Sequence, residues 1–125
     1  MPGSRIIALL TDFGLADTYV GQMKGVVLDR APAARLVDLT HDIPRGDLFA
    51  AAFALLEALD AFPRGTVFLW VVGHAVGTDQ ARLAVLARGR CFVAPDNGLL
   101  TPALEELGAF EARRLSTAGA SNTFH

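Results

Sequence analysis

Residues 5–19 read RIIALLTDFGLADTY, an apolar run that gives way to a polar segment. Residues 5–10 are almost wholly aliphatic, which is typical of a buried strand. Residues 11–19 carry two carboxylates and a glycine and therefore indicate a loop. The same succession of apolar strand and polar loop recurs twice further along the chain, so this stretch sets the fold class.

The predicted elements alternate between strand and helix. Helical spacing of Val20, Met23, Val27 and Leu28 predicts an amphipathic first helix, and Asp47 is expected to N-cap the second. In chain order, the prediction is strand 5–10, helix 20–31, strand 35–39, helix 48–62, strand 65–72, a hairpin of 83–87 with 91–94, helix 101–107 ended by a glycine, and strand 110–115.

This order predicts an α/β fold, a three-layer sandwich with a mainly parallel central sheet. In such sheets, ligands bind beyond the carboxyl ends of the strands. The loops at those ends are 11–19, 41–47 and 73–80, and they hold most of the unusual polar residues. We therefore expect a ligand site at that edge of the sheet.

Composition excludes several classes of protein. The 125 residues fit one domain, and a hydrophobic fraction of 52% excludes a disordered chain. Eleven Lys and Arg against thirteen Asp and Glu leave no basic excess for nucleic acid or anionic lipid. The single cysteine, Cys91, excludes an intrachain disulfide framework and suits a reducing compartment. No apolar run approaches the ~20 residues of a membrane span, so a cytoplasmic protein is expected.

Three residues of the first loop are candidates for ligand binding. Asp12 follows the strand directly, where a carboxylate can accept two hydrogen bonds from a ribose diol; a purely structural role in the turn is about equally compatible. Asp17 suits either an N-cap or a counter-ion for a ligand ammonium group. Tyr19 can stack on a ligand or belong to the core.

The second loop opens with His41 and Asp42. The pair could be a general base with its orienting carboxylate, but a structural histidine is the more frequent role, and two residues do not make a metal site. The glycines of the third loop do not match a phosphate-binding loop, and the GxGxxG and GxSxG motifs are absent. Spacing alone thus favours a nucleotide-type site and specifies no reaction.

An ordered set of motifs resembles the S-adenosylmethionine hydroxide adenosyltransferase family, which also contains fluorinating and chlorinating enzymes. The matches are in order and spread over nearly the whole chain. They are TDFG at 11–14, an Asp at 17, YVG at 19–21, MKG at 23–25, DLTHDI at 38–43, PRGTV at 63–67, VGT at 76–78, APDNGLL at 94–100 and TFH at 123–125.

The resemblance implies a fold, an assembly and a reaction. Family members have an N-terminal α/β domain and a smaller C-terminal β-barrel, form trimers, and bind substrate between subunits. The hydrolytic members convert S-adenosylmethionine and water to adenosine and L-methionine. The resemblance implies that Asp12 holds the ribose hydroxyls and that Asp17, Thr18 and Tyr19 lie against the substrate, with Asp17 near its methionine end. It implies S-adenosylmethionine as substrate, with no metal and no separate cofactor.

The chain departs from the family's catalytic pattern at the third loop. An Asp, an Arg and a His are thought to hold the attacking water in hydrolytic members. Gly73, itself an expected substrate contact, stands where the family has the Asp, and Gln80 stands where it has the Arg. His125 is the one expected catalytic residue that remains. Whether His74 or Arg82 substitutes is left open.

The chain also ends where the family continues into its barrel. We expect residues 1–116 to form the N-terminal domain and 117–125 a tail leading toward a missing C-terminal domain. The expected function is adenosine-forming hydrolysis of S-adenosylmethionine, weak or absent in this chain alone. The alternatives are a non-catalytic nucleoside-binding or oligomerising paralogue and, less favoured, a halogenase. A homotrimer is expected for a full-length form.

Overall fold

The structure, a computed structural model, describes residues 5–73 and 82–115. Within them lie six strands and three α-helices. The elements are β1 (Ile6–Thr11), α1 (Tyr19–Arg30), β2 (Arg35–Thr40), α2 (Leu48–Ala58), β3 (Val67–Val71), β4 (Arg82–Ala87), β5 (Arg90–Pro95), α3 (Thr101–Leu107) and β6 (Glu111–Arg114).

The strands form one sheet in the order β2-β1-β3-β5-β4-β6. The pairs β1–β2, β1–β3 and β3–β5 are parallel, whereas β4 runs antiparallel to both β5 and β6. The predicted α/β fold with a mainly parallel sheet is confirmed. The carboxyl ends of β1, β2, β3 and β5 therefore meet at one edge of the sheet, where the sequence predicts a ligand site.

Helices cover both faces of the sheet. The larger core lies between the sheet and helices α2 and α3, and fully buried Phe68, Trp70 and Phe92 fill it with edge-to-face ring contacts. A smaller core forms on the opposite face, where Val20 and Met23 of α1 pack against Leu9. Because β1 alternates its side chains, Leu9 faces α1 while Ala8 and Leu10 face the larger core.

Several element boundaries, and the exposure of one residue of α1, differ from the sequence prediction. Strand β1 extends to Thr11, and α2 ends at Ala58, followed by a single 3₁₀ turn at Leu59–Ala61. Leu28, predicted on the buried face of α1, is 39% exposed. No helix within residues 5–73 and 82–115 is long and apolar enough to cross a membrane. The predicted domain boundary at residue 116 lies outside the described residues.

Candidate functional site

Asp12 lies at the centre of the carboxyl edge. Its residue is only 8% exposed, and its Oδ2 accepts hydrogen bonds from the backbone N–H of Gly46 at 2.7 Å and of Gly73 at 3.2 Å. These donors belong to the loops that follow β2 and β3, so one carboxylate joins three loops. A carboxylate offers about four acceptor positions, so two backbone donors leave capacity for a ligand.

Gly73 adopts a backbone conformation that L side chains rarely take, with φ of +105°. A Cβ added there would lie 3.0 Å from Nδ2 of Asn97. That amide nitrogen donates to the carbonyl of Val72 at 2.9 Å, and Asn97 Oδ1 accepts from the N–H of Leu99 at 3.1 Å. Asn97 therefore links the loop after β5 to the end of β3, and its side chain lies beside Gly73.

Four side chains form a connected array on the α1 side of this edge. Thr11 Oγ1 lies 2.8 Å from His41 Nδ1, and His41 Nε2 lies 2.7 Å from Asp38 Oδ1. Lys24 Nζ donates to Asp38 Oδ2 at 2.6 Å. We call Lys24, Asp38, His41 and Thr11 the array.

Each member of the array has a hydrogen-bond partner of the right kind. Thr11 Oγ1 accepts the N–H of Phe13 at 3.2 Å and also lies within hydrogen-bond distance of His41 Nδ1. An ionised carboxylate can only accept, so His41 Nε2 donates a ring proton to Asp38. Partial burial is the largest influence on the pKa of Asp38 and raises it, but the hydrogen bonds and charges of Lys24 and His41 together lower it below its ordinary value of 3.8.

The pairing of β1 with β2 is irregular close to Asp38 and His41. Leu9 pairs with Asp38 and Leu10 with Thr40, so the register shifts and Leu39 is the extra residue. His41 directly follows the last residue of β2, Thr40, and its imidazole lies beside Asp38. Asp38, rather than the neighbouring Asp42, is therefore the carboxylate partner of His41.

The array has the order hydroxyl, imidazole, carboxylate, which is also the order of a nucleophilic relay. Thr11 has no exposed surface, however, and His41 is 3% exposed. A substrate cannot reach either side chain. The interpretation of His41 as a general base is thus disfavoured, and a structural role fits its burial.

The other predicted residues of the first loop are placed near the start of α1. Asp17 Oδ1 accepts the backbone N–H of Tyr19 at 2.9 Å, and Thr18 Oγ1 accepts from the side chain of Gln22 at 2.8 Å. The rings of Tyr19 and Phe13 meet edge to face at 4.6 Å. Asp17 is exposed and Asp12 is buried, and each carboxylate binds a different stretch of backbone.

An apolar cavity of about 210 Å³ opens beside these rings, between α1 and the sheet. Phe13, Tyr19 and Met23 form one wall, Leu69 and Val93 lie on the sheet side, and Arg82 supplies a charge. Neither Asp12 nor Asp17 lines it. The cavity is therefore separate from the Asp12 carboxylate.

Several predicted catalytic positions lie outside the described residues, namely His74, Gln80 and His125. Among the residues that the structure does describe, no three His, Cys, Asp or Glu side chains are grouped so that they could hold a metal ion.

Asn97 and Asp38 were not singled out from the sequence as parts of the site. Asn97 follows β5, and the same strand-end rule that selects Asp12 would have selected it once β5 was known to be parallel to β3. Asp38 lies within β2, and no feature of the sequence indicates that its side chain contacts His41.

Residues 7–125 match the family model described as the SAM hydroxide adenosyltransferase N-terminal domain. The chain is 52% identical over 98 residues to a protein from Thermus thermophilus named (R)-S-adenosyl-L-methionine hydrolase, with 78% of this chain and 38% of that protein covered. It is 32% identical over 137 residues to a protein named fluorinase from an Actinoplanes species, covering 91% of this chain and 46% of the relative.

A solved structure of an uncharacterized conserved protein from Thermotoga maritima superposes with a TM-score of 0.84 at 39% identity, covering 89% of this chain and 43% of that one. The chain thus spans less than half the length of each of these three proteins.

Proposed function

Because this chain belongs to the SAM hydroxide adenosyltransferase family, we propose that it binds S-adenosyl-L-methionine through Asp12. In this proposal it forms part of a site that hydrolyses the ligand to adenosine and L-methionine. S-adenosylmethionine is the substrate, and neither a metal nor a separate cofactor takes part. The relatives named hydrolase, at up to 52% identity, support this reaction over others.

The position of Asp12 is the observation that carries the proposal. It follows β1 at the carboxyl edge, and two backbone N–H groups fix one of its oxygens. Fixed donors orient the carboxylate before a ligand arrives, which lowers the entropic cost of binding. A ribose has two neighbouring hydroxyls that can donate to such a carboxylate.

The reaction needs alignment more than covalent help from the protein. Water attacks the ribose C5′, the C5′–S bond breaks, methionine leaves with the electron pair, and the attacking water passes its proton to solvent water. The sulfonium is already a good leaving group, so positioning and desolvation of the water dominate. Gly73 has no side chain to accept that proton, and for this reason we propose that turnover by this chain alone is weak or absent.

The assembly and compartment are also proposals. A homotrimer is proposed for a form that includes the rest of the relatives' length. A cytoplasmic location is proposed because a single cysteine suits a reducing compartment.

Calorimetric titration with S-adenosylmethionine tests the binding step. Asp12→Asn keeps the shape of the side chain but removes the charge, so we expect affinity to fall by about tenfold or more. Asp42→Asn removes an exposed carboxylate at the neighbouring loop and serves as the matched control. Equal affinity in the wild type and Asp12→Asn would contradict the proposed role.

Chromatography of the products tests the reaction. We expect adenosine and methionine to form more slowly than about 1 per second, the lower end of ordinary enzyme turnover. A rate at or above that value contradicts the proposed impairment, whereas binding without any product favours the non-catalytic paralogue.

The relative named fluorinase favours a halogenase as a second candidate. Added fluoride or chloride should then yield a 5′-halogenated nucleoside and speed the loss of substrate. Loss of substrate at the same rate with and without halide excludes this candidate.

A further inference from the structure

We propose that the array of Lys24, Asp38, His41 and Thr11 is a positioning device that holds the turn carrying Asp12 in its ligand-binding geometry. This inference rests on the proposed function, because it assigns the array to the site that Asp12 forms. No residue of the array touches the substrate in this proposal.

His41 contacts the turn on both sides of Asp12. Its imidazole lies 2.8 Å from Thr11 Oγ1, the residue before Asp12, and its backbone carbonyl accepts the N–H of Gly14 at 2.7 Å, two residues after it. Thr11 Oγ1 also accepts the N–H of Phe13 at 3.2 Å. Rotation of the peptide units around Asp12 would break at least one of these hydrogen bonds.

The outer half of the array restricts His41 in turn. The imidazole is nearly fully buried, and its second nitrogen is bound to Asp38, whose other oxygen binds Lys24 of α1. A buried ring with a partner on each nitrogen has few alternative orientations. Helix α1 is thereby linked to the loop after β1 through side chains.

The Asp12 carboxylate is the part of the turn that needs this restraint. Asp12 Oδ2 must meet two backbone N–H groups that belong to two separate loops, at 2.7 Å and 3.2 Å. A small displacement of the turn disturbs at least one of these hydrogen bonds. The protection of the Gly46 and Gly73 amides from hydrogen exchange therefore reports how firmly Asp12 is held, without any ligand.

Hydrogen exchange of the full chain, followed by NMR, tests the positioning step. Thr11→Val removes the hydroxyl and keeps the volume. We expect the Gly46 and Gly73 amides to exchange about tenfold faster relative to the core amides of Leu9 and Phe68, which correct for global stability. Thr66→Val is the matched control, since Thr66 is 1% exposed and its hydroxyl donates to the Pro63 carbonyl at 2.7 Å.

Asp38→Ala guards against failure of Thr11→Val to fold, because the Asp38 side chain is 42% exposed. We expect a smaller acceleration at the same two amides. Unchanged relative exchange in both variants, or equal acceleration in Thr66→Val, overturns the proposal.

Titration of the same variants with S-adenosylmethionine separates this inference from the proposed function. We expect Thr11→Val to raise the dissociation constant by about tenfold and Thr66→Val to leave it within about twofold. Faster exchange with an unchanged dissociation constant overturns the assignment of the array to the ligand site. Faster exchange in a chain whose wild type binds no S-adenosylmethionine overturns the proposed function and leaves the restraint on Asp12 standing.

Discussion

Gly73 joins two requirements at one residue. Its N–H donates to Asp12. Its φ of +105° would strain any side chain, and the Asn97 amide would crowd the added Cβ. By resemblance, the hydrolytic members carry an aspartate at this position. A side chain at this φ is strained, and its Cβ would lie 3.0 Å from Asn97 Nδ2, so glycine suits this backbone conformation.

Comparison of two glycine variants tests this at the residue scale. Gly73→Ala is expected to destabilise the chain by about 1–3 kcal/mol through backbone strain, with a further cost from crowding against Asn97. Gly98→Ala has a similar φ of +86° but meets nothing within 4 Å, so it isolates the backbone strain. Urea unfolding measures both, and an equal or larger loss in Gly98→Ala would contradict the crowding argument.

Helix α2 depends on a cap that was readable from the sequence. Asp47 Oδ1 accepts the N–H of Ala50 at 3.0 Å and thereby satisfies one of the free donors in the first turn. The cap also fixes where the loop after β2 ends, only one residue beyond the Gly46 amide that binds Asp12.

Removal of this cap is predicted to weaken the element measurably. Asp47→Ala should lower the free energy of unfolding by about 1 kcal/mol. Asp47→Asn keeps an acceptor oxygen and should retain most of that stability. Denaturant unfolding of the three proteins decides the matter, and identical losses in the two variants would show that charge rather than capping is responsible.

Helices and strands of this chain could be predicted where a local sequence signal marks their ends. Contacts between side chains of different strands could not be predicted. The apolar run before Asp12 and the proline after Arg30 and Ala31 indicate β1 and the end of α1. The partners of His41 are Thr11 of β1 and Asp38 of β2, so they depend on how two strands lie beside each other, which is not a local property of the sequence. For the same reason Asp42, adjacent in sequence, was the wrong partner to expect.

The molecule as a whole exposes an apolar stripe along α2. Phe49, Phe53 and Leu56 are 85%, 57% and 36% exposed and follow helical spacing, while the other side of α2 packs into the larger core. Helix propensity and hydrophobicity predicted the helix but gave no reason to expect an exposed outer face. Contiguous apolar surface of this kind promotes association.

A double substitution tests the stripe at the scale of the molecule. Phe49→Ser with Phe53→Ser should cut the fluorescence of the dye anilinonaphthalene sulfonate bound to the native chain by about half and reduce light scattering at high concentration. Phe110→Ser is the control, since Phe110 is 53% exposed but lies outside α2. If dye fluorescence falls only in the control, α2 does not carry the main dye-binding apolar surface, and the prediction is wrong.

The edges of the sheet carry a different safeguard. Over the described residues, β2 and β6 are the outermost strands. Strand β6 is four residues long, each of them is exposed, and it bears Glu111, Arg113 and Arg114. Short, charged outer strands make poor templates for strand addition from another chain. Extension of the sheet at the β6 edge is thereby discouraged, so another chain finds little to pair with on that side.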